Sequence, residues 1–292
     1  MRFDLSKQLE RALGQSVEIE GVEPVSGGDI SEAVRVDTSQ GKIFVKWLGD
    51  GPPDLFEREG ESLERMRASG TSLRIPEVLG VHSTGDGPSM LALEYIEAGR
   101  PADDYDEQLG RGLAGLHAAS ADAFGFDEDT YCGTTPQPND WTHDWVEFYR
   151  ERRLRHLLGL IEERRGVSSD ERRALEQLLD DLDGLVDAGE PPSLIHGDLW
   201  SGNVFADSDG RPVLVDPAAY YAHPEAELGM MDLFGGFSGT VYDAYVEARP
   251  LPEGWRRRIP VYSLYHLLNH YYLFGGHYRR QAFDLVRRLS GS

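Results

Sequence analysis

Asp198, Asn203 and Asp216 follow one another in an order that phosphoryl transfer could use, each set among apolar neighbours. The segment reads Leu194-Ile195-His196-Gly197-Asp198-Leu199-Trp200-Ser201-Gly202-Asn203, and a later apolar run, Val213-Leu214-Val215, ends at Asp216. Transfer from ATP needs a carboxylate beside the acceptor hydroxyl and oxygen ligands for the magnesium ions that neutralise phosphate charge. Asp198 suits the first task, and Asn203 with Asp216 the second. The spacing of Asp198 and Asn203 matches the kinase catalytic loop H-R-D-x-x-x-x-N, and Asp216 falls where the metal-binding aspartate of D-F-G would sit. Asp and Asn in Gly-rich loops commonly bond only to their own turn backbone, but that reading does not account for three such residues in this order. His196 reads as a loop organiser whose ring bonds to backbone and helps hold Asp198.

A second group lies upstream. In Val25-Ser26-Gly27-Gly28-Asp29-Ile30-Ser31 the missing side chains of Gly27 and Gly28 would let backbone N–H groups approach phosphate oxygens, with Ser31 beside them. On its own a Gly-Gly pair is more often a hairpin turn. Lys46 adds weight, because it follows the strand-like run Ile43-Phe44-Val45 and resembles the lysine of V-A-I-K that reaches the α- and β-phosphates. Only Lys7, Lys42 and Lys46 are lysines, so one on an apolar strand is poorly explained as surface decoration. Glu57, Glu59 and Glu61 compete to be its ion-pair partner, and the connector Glu94–Ile96 would lie against adenine.

These residues need a sheet to carry Lys46 and a helix to face it. Alternating apolar positions predict strands at 22–26, 32–37, 42–48, 78–82 and 90–96, with an opening helix before them and one helix inserted. From about Asp103 the apolar spacing becomes three and four, predicting helices at 103–119, 140–164, 168–187, 228–247 and 254–274. The fold class is therefore α+β in two lobes, 1–97 and 98–292, joined across EYIEAGRPADD. Residues 120–140 predict a long ordered loop, a kind that is often functional.

Composition narrows the functional classes. The net charge of −22 argues against a nucleic-acid partner and fits either a solvated acidic surface or adaptation to high salt. Cys132 is the only cysteine, so an intrachain disulfide is impossible and a zinc site built from cysteines has no raw material. A reducing cytoplasm follows as the expected setting. The chain opens without a basic stretch leading into an apolar run, and polar residues interrupt VYSLYHLLNHYYLFGG, so a soluble, unexported protein is expected. Neither a Walker A motif nor G-x-S-x-G or H-E-x-x-H is present. His266 and His270 stand four apart and could share a metal, but with no third ligand evident, packing is the better reading. The aromatic string from Tyr262 to Phe274 reads as helix packing.

With these motifs in hand, the sequence resembles the fructosamine kinase (ketosamine-3-kinase) family, a branch of the aminoglycoside phosphotransferase and protein-kinase-like superfamily. The resemblance rests on HGDLWSGN, on Asp216-Pro217-Ala218 in place of D-F-G, on Tyr220-Tyr221-Ala222-His223-Pro224-Glu225, and on GTTPQPNDWTHDW, LFGGF and LYHLLNHYYLFG. It implies a protein-kinase-like bilobal fold and ATP- and Mg2+-dependent phosphorylation of the 3-hydroxyl of a fructosamine or ribulosamine, free or protein-bound. The 3-phosphate would then decompose and release the amine, a deglycation. In that family the segment matching LFEREGESL carries its helix glutamate three residues after the phenylalanine, which selects Glu59. Trp200, His223, Glu225 and the 133–141 loop are the implied acceptor-side residues. Many relatives have a cysteine in the glycine-rich loop where this chain has Asp29, whose side chain is expected to face solvent. A kinase of an aminoglycoside or choline-type acceptor and a non-catalytic ATP-binding module are the competing readings. No membrane partner is expected, and either a monomer or a homodimer fits.

Overall fold

The computed structural model describes residues 4–25, 31–83 and 88–291. Helix α1 (Leu5–Leu13) starts at Asp4, whose side chain accepts from Lys7 N, and stops at Gly14 in the left-handed region. Strands β1 (Ile19–Pro24), β2 (Glu32–Thr38), β3 (Gly41–Leu48), β4 (Val78–His82) and β5 (Ser89–Glu94) make an antiparallel sheet in the order β1-β2-β3-β5-β4. Helix α2 (Leu55–Ala68) enters between β3 and β4.

Strand periodicity divides the sheet's side chains between two cores. Ile43, Val45 and Trp47 of β3, with Met90 and Ala92 of β5, pack with Leu5 and Leu9 of α1. The alternate residues Phe44 and Leu48, with Leu91 and Leu93, join Phe56, Leu63 and Met66 of α2 in the main core, which continues to Phe283 and Val286. Lys46 shares this second face and so points away from α1 toward α2.

After α3 (Tyr105–His117) the 120–140 stretch contains a short hairpin, β6 (Thr130–Cys132) with β7 (Thr135–Gln137). The helical region 145–164 comprises α4 (Trp145–Phe148), a π-helical stretch at Tyr149–Arg155 and α5 (His156–Arg164). Helix α6 (Ser169–Asp180) carries a capping box between Ser168 and Glu171. Two two-stranded ladders follow. One pairs β8 (Ser193–Ile195) with β11 (Tyr220–Ala222), and the other pairs β9 (Val204–Ala206) with β10 (Pro212–Leu214).

The single helix expected at 228–247 is two helices, α7 (Glu225–Leu233) and α8 (Gly239–Ala248). Gly235 and Gly236 both take positive φ between them, which breaks the helical run. Helix α9 (Trp255–Phe274) matches the expected span, while α10 (Tyr278–Leu289) was not foreseen. No described helix is long and apolar enough to cross a membrane.

Candidate active site

The chain from β8 to Asp216 is held by its own backbone and by one buried carboxylate. Gly197 has φ of 83°, and a Cβ there would lie 2.2 Å from the Ala218 carbonyl oxygen, so no larger residue fits this crossing. His196 donates through Nε2 to the Val215 carbonyl at 2.8 Å and accepts from the Asp198 N–H at Nδ1 at 3.2 Å. Burial holds its pKa below the ordinary histidine value, so the ring stays neutral and its tautomer is set by those two bonds. The expected organising role for His196 matches these contacts.

Glu227 on α7 supports the same loop from beneath, a part the sequence reading missed. It is buried and accepts the backbone N–H of His196 at 2.5 Å and of Gly197 at 3.2 Å. A glutamate beside Leu228, Met230 and Met231 on a wholly buried helical stretch is the signal that could have found it.

Asp198 faces a cavity of about 380 Å³ whose walls also include Lys46, Glu59, Trp200, Asn203 and Asp216. Burial, and then the charges of Asp216 and Glu227, lift its carboxyl to about 7. Asn203 donates through Nδ2 to the Asp198 carbonyl at 2.8 Å, leaving Oδ1 as its available acceptor. Asp216 takes a φ of 57°, the one positive φ at a described residue other than glycine. The indole of Trp200 folds over Gly202, where a Cβ would come within 2.2 Å of the ring.

Lys46 joins the sheet to this loop. Its ammonium lies 2.6 Å from Glu59 and 2.7 Å from Asp216, with Phe56 beneath it at 5.5 Å. One cation between two carboxylates leaves the trio one negative charge in excess. The excess falls on Glu59, where burial outweighs Lys46 and raises the pKa to about 7. Burial would raise Asp216 as well, but Lys46 holds it below its ordinary value, and the two carboxylates together keep Lys46 protonated. Oxygen donors at Asn203 and Asp216 suit a hard divalent cation, and the adjacent ammonium suits phosphate oxygens.

Other expected residues lie elsewhere. Ser31 lines the cavity, whereas Gly27, Gly28 and Asp29 fall outside the described residues. Glu94 and Ile96 do not line it, and the Glu94 carboxylate is paired with Arg74 at 2.7 Å. His223 and Glu225, expected on the acceptor side, are fully buried and absent from the cavity wall. His223 stacks on Tyr262, and Glu225 binds Arg258 through both oxygens at 2.7 and 2.5 Å. They pack the helical part because their neighbours are the aromatic and cationic side chains of α9.

A second cavity, of about 530 Å³, adjoins the first through Arg58 and Tyr131 and is walled by Asp54, Asp127, Glu128, Asp129 and Asp140.

The family model for fructosamine kinase matches residues 1–291. A chloroplastic protein-ribulosamine 3-kinase of Oryza sativa subsp. indica is 42% identical over 276 residues, covering 94% of this chain and 80% of its own. Among solved structures, a candidate fructosamine-3-kinase from Thermobifida fusca superposes with a TM-score of 0.88 at 34% identity, covering 99% of both chains. Aminoglycoside phosphotransferase APH(4)-Ia, solved with AMP-PNP and hygromycin B, shares the fold alone, with a TM-score of 0.62 at 19% identity over 99% of this chain and 96% of its own.

Proposed function

The chain belongs to the fructosamine kinase family, and on that premise we propose that it transfers the γ-phosphoryl group of ATP to the 3-hydroxyl of a ketosamine. The observation that carries this reading is the meeting of Asp198, Asn203, Asp216 and the Lys46–Glu59 pair around one cavity. Lys46, oriented by Glu59, binds phosphate oxygens. Asn203 Oδ1 and Asp216 would hold magnesium, which when bound neutralises charge on the phosphates. The carboxylate of Asp198 orients the acceptor hydroxyl and takes up its proton as the new O–P bond forms. Because such transition states are loose, positioning is the larger share of that contribution.

Trp200 is the acceptor-side residue that the proposal retains, since its indole is on the cavity wall. The acidic neighbouring cavity supports an acceptor that carries a protonated amine, as a ketoamine does. A single, buried cysteine accords with a cytoplasmic setting.

The test is ADP release by the purified protein with ATP and magnesium, using fructoselysine, ribuloselysine, an aminoglycoside and choline as acceptors in parallel. Release that depends on the two ketoamines supports the proposal. Release with the aminoglycoside or choline alone replaces the substrate, and release with none of the four points to a nucleotide-binding module.

A further inference from the structure

Beside the carboxylate of Asp198, three elements bring a cysteine, an aspartate and a histidine together, the cysteine on the wall of the same cavity. Cys132 ends β6, Asp198 lies in the catalytic loop and His266 is in the middle of α9, and one ligand atom from each lies within 4.8 Å of the other two. His266 is 4% exposed, and its Nδ1 is buried without a hydrogen-bond partner. Such a nitrogen ordinarily finds a donor or acceptor, so a buried ring that leaves it unpaired and sets one of its nitrogens near a thiol and a carboxylate points to a ligand. Its neighbour in the sequence motif, His270, turns away, with Nδ1 against the His266 carbonyl and its ring among Phe234, Phe274 and Tyr278.

We propose that Cys132, Asp198 and His266 form a binding site for a thiophilic divalent cation such as Zn2+, distinct from the oxygen-ligand site at Asn203 and Asp216, and that occupying it switches the enzyme off.

Charge and donor type both favour this assignment. A thiolate and a carboxylate cancel the two charges of the ion, and a neutral imidazole adds a third bond without adding charge, so the complex is neutral in a buried place. Burial keeps the imidazole neutral and the thiol protonated, and capture of the ion therefore releases to solvent the thiol proton and, where Asp198 is protonated, its carboxyl proton as well. Thiolate and imidazole select zinc-like ions, whereas magnesium takes oxygen ligands, so millimolar magnesium would leave this site free. Tetrahedral zinc bonds of about 2.0–2.3 Å require the donors to draw together by roughly 1 Å. The hairpin that carries Cys132 is already fastened to α9, where Asn269 donates to both Sγ and the carbonyl of Cys132 at 3.1 and 3.3 Å, so the approach is a side-chain adjustment.

The inhibitory consequence rests on the role given to Asp198 above, because a carboxylate bound to a cation cannot accept the hydroxyl proton. The binding claim does not depend on it, and the two are measured separately. In excess magnesium, titrating the protein with Co2+ should give a thiolate-to-cobalt charge-transfer band that saturates at one ion per chain and is displaced by Zn2+. Cys132→Ser should abolish the band, and His266→Gln should weaken cobalt binding at least tenfold. In ketoamine-dependent ADP release, Zn2+ should inhibit the wild type at saturating magnesium, while His266→Gln turns over and resists the ion. A missing band in the wild type, or unchanged cobalt affinity in His266→Gln, overturns the site. A saturable band in a protein without ketoamine-dependent turnover upholds the site and removes the kinase reading instead.

Discussion

Lys46 and Asp216, separated by 170 positions, meet at 2.7 Å and tie the amino-terminal sheet to the end of the segment that carries Asp198 and Asn203. Lys46 is buried and reaches Glu59 from the same ammonium, so its loss would leave two carboxylates facing each other. For Lys46→Met we expect a stability loss of about 3–5 kcal/mol, the usual result of removing one partner from a buried pair. Part of the loss should be regained on acidification, as Glu59 takes up a proton. Turnover should fall about 10²–10³-fold, in line with removal of one preorganised charge contact. Thermal melts at two pH values and steady-state kinetics check both.

Asp198 makes the pH dependence specific. With its carboxyl lifted to about 7, kcat/KM should lose about tenfold per pH unit below that value, because the protonated group cannot accept the hydroxyl proton. The same shift has a stability signature of definite sign. Folding favours the protonated acid, so this group's contribution is full below its unfolded pKa and is lost as pH rises through about 7. Asp198→Asn should accordingly raise Tm more at pH 8 than at pH 5, which calorimetry at the two pH values would show.

Glu227 acts on the reaction only through the loop it holds. Glu227→Gln keeps the shape but replaces one of the two oxygens that accept from His196 and Gly197 N–H with an amide NH2 that cannot accept. We expect kcat to fall about 10²-fold, the scale of an ångström-sized misplacement, with KM for ATP unchanged. Equal changes in both constants would show that Glu227 supports the nucleotide site as well.

Glu225 should behave as a structural residue. Glu225→Ala leaves Arg258 without its two short contacts and should cost about 3–5 kcal/mol of stability, with KM for the ketoamine unaltered. Trp200→Ala should do the reverse, raising that KM with little effect on Tm.

The expected residues that line the cavity were legible because polar groups on buried loops need apolar brackets. Ile195 before His196 and Val213-Leu214-Val215 before Asp216 give that pattern directly, and the alternation in β3 places Lys46 opposite the residues that face α1. Residues whose burial comes from distant packing were not legible. His223 and Glu225 follow Asp216 closely in sequence, yet their surroundings are set by Tyr262 and Arg258, more than 30 positions away. Glu227 was missed because its partners are backbone N–H groups, which a sequence pattern does not display. The break at Gly235 and Gly236 was hidden by apolar residues that keep helical spacing across it. The proximity of Cys132 to His266 depends on a hairpin docking against α9 and leaves no mark in either local motif.

We propose that Asp198 serves a ketosamine hydroxyl across a cavity shared with Lys46, Asn203 and Asp216. The decisive measurement follows transfer of labelled γ-phosphate from ATP to fructoselysine under single-turnover conditions, with wild type and Asp198→Asn side by side and nucleotide binding measured for both. The wild type should give a 3-phosphorylated ketosamine, Asp198→Asn should form it about 10²–10⁴-fold more slowly, and the two should bind nucleotide equally well. Equal transfer rates in the two proteins would contradict the proposal.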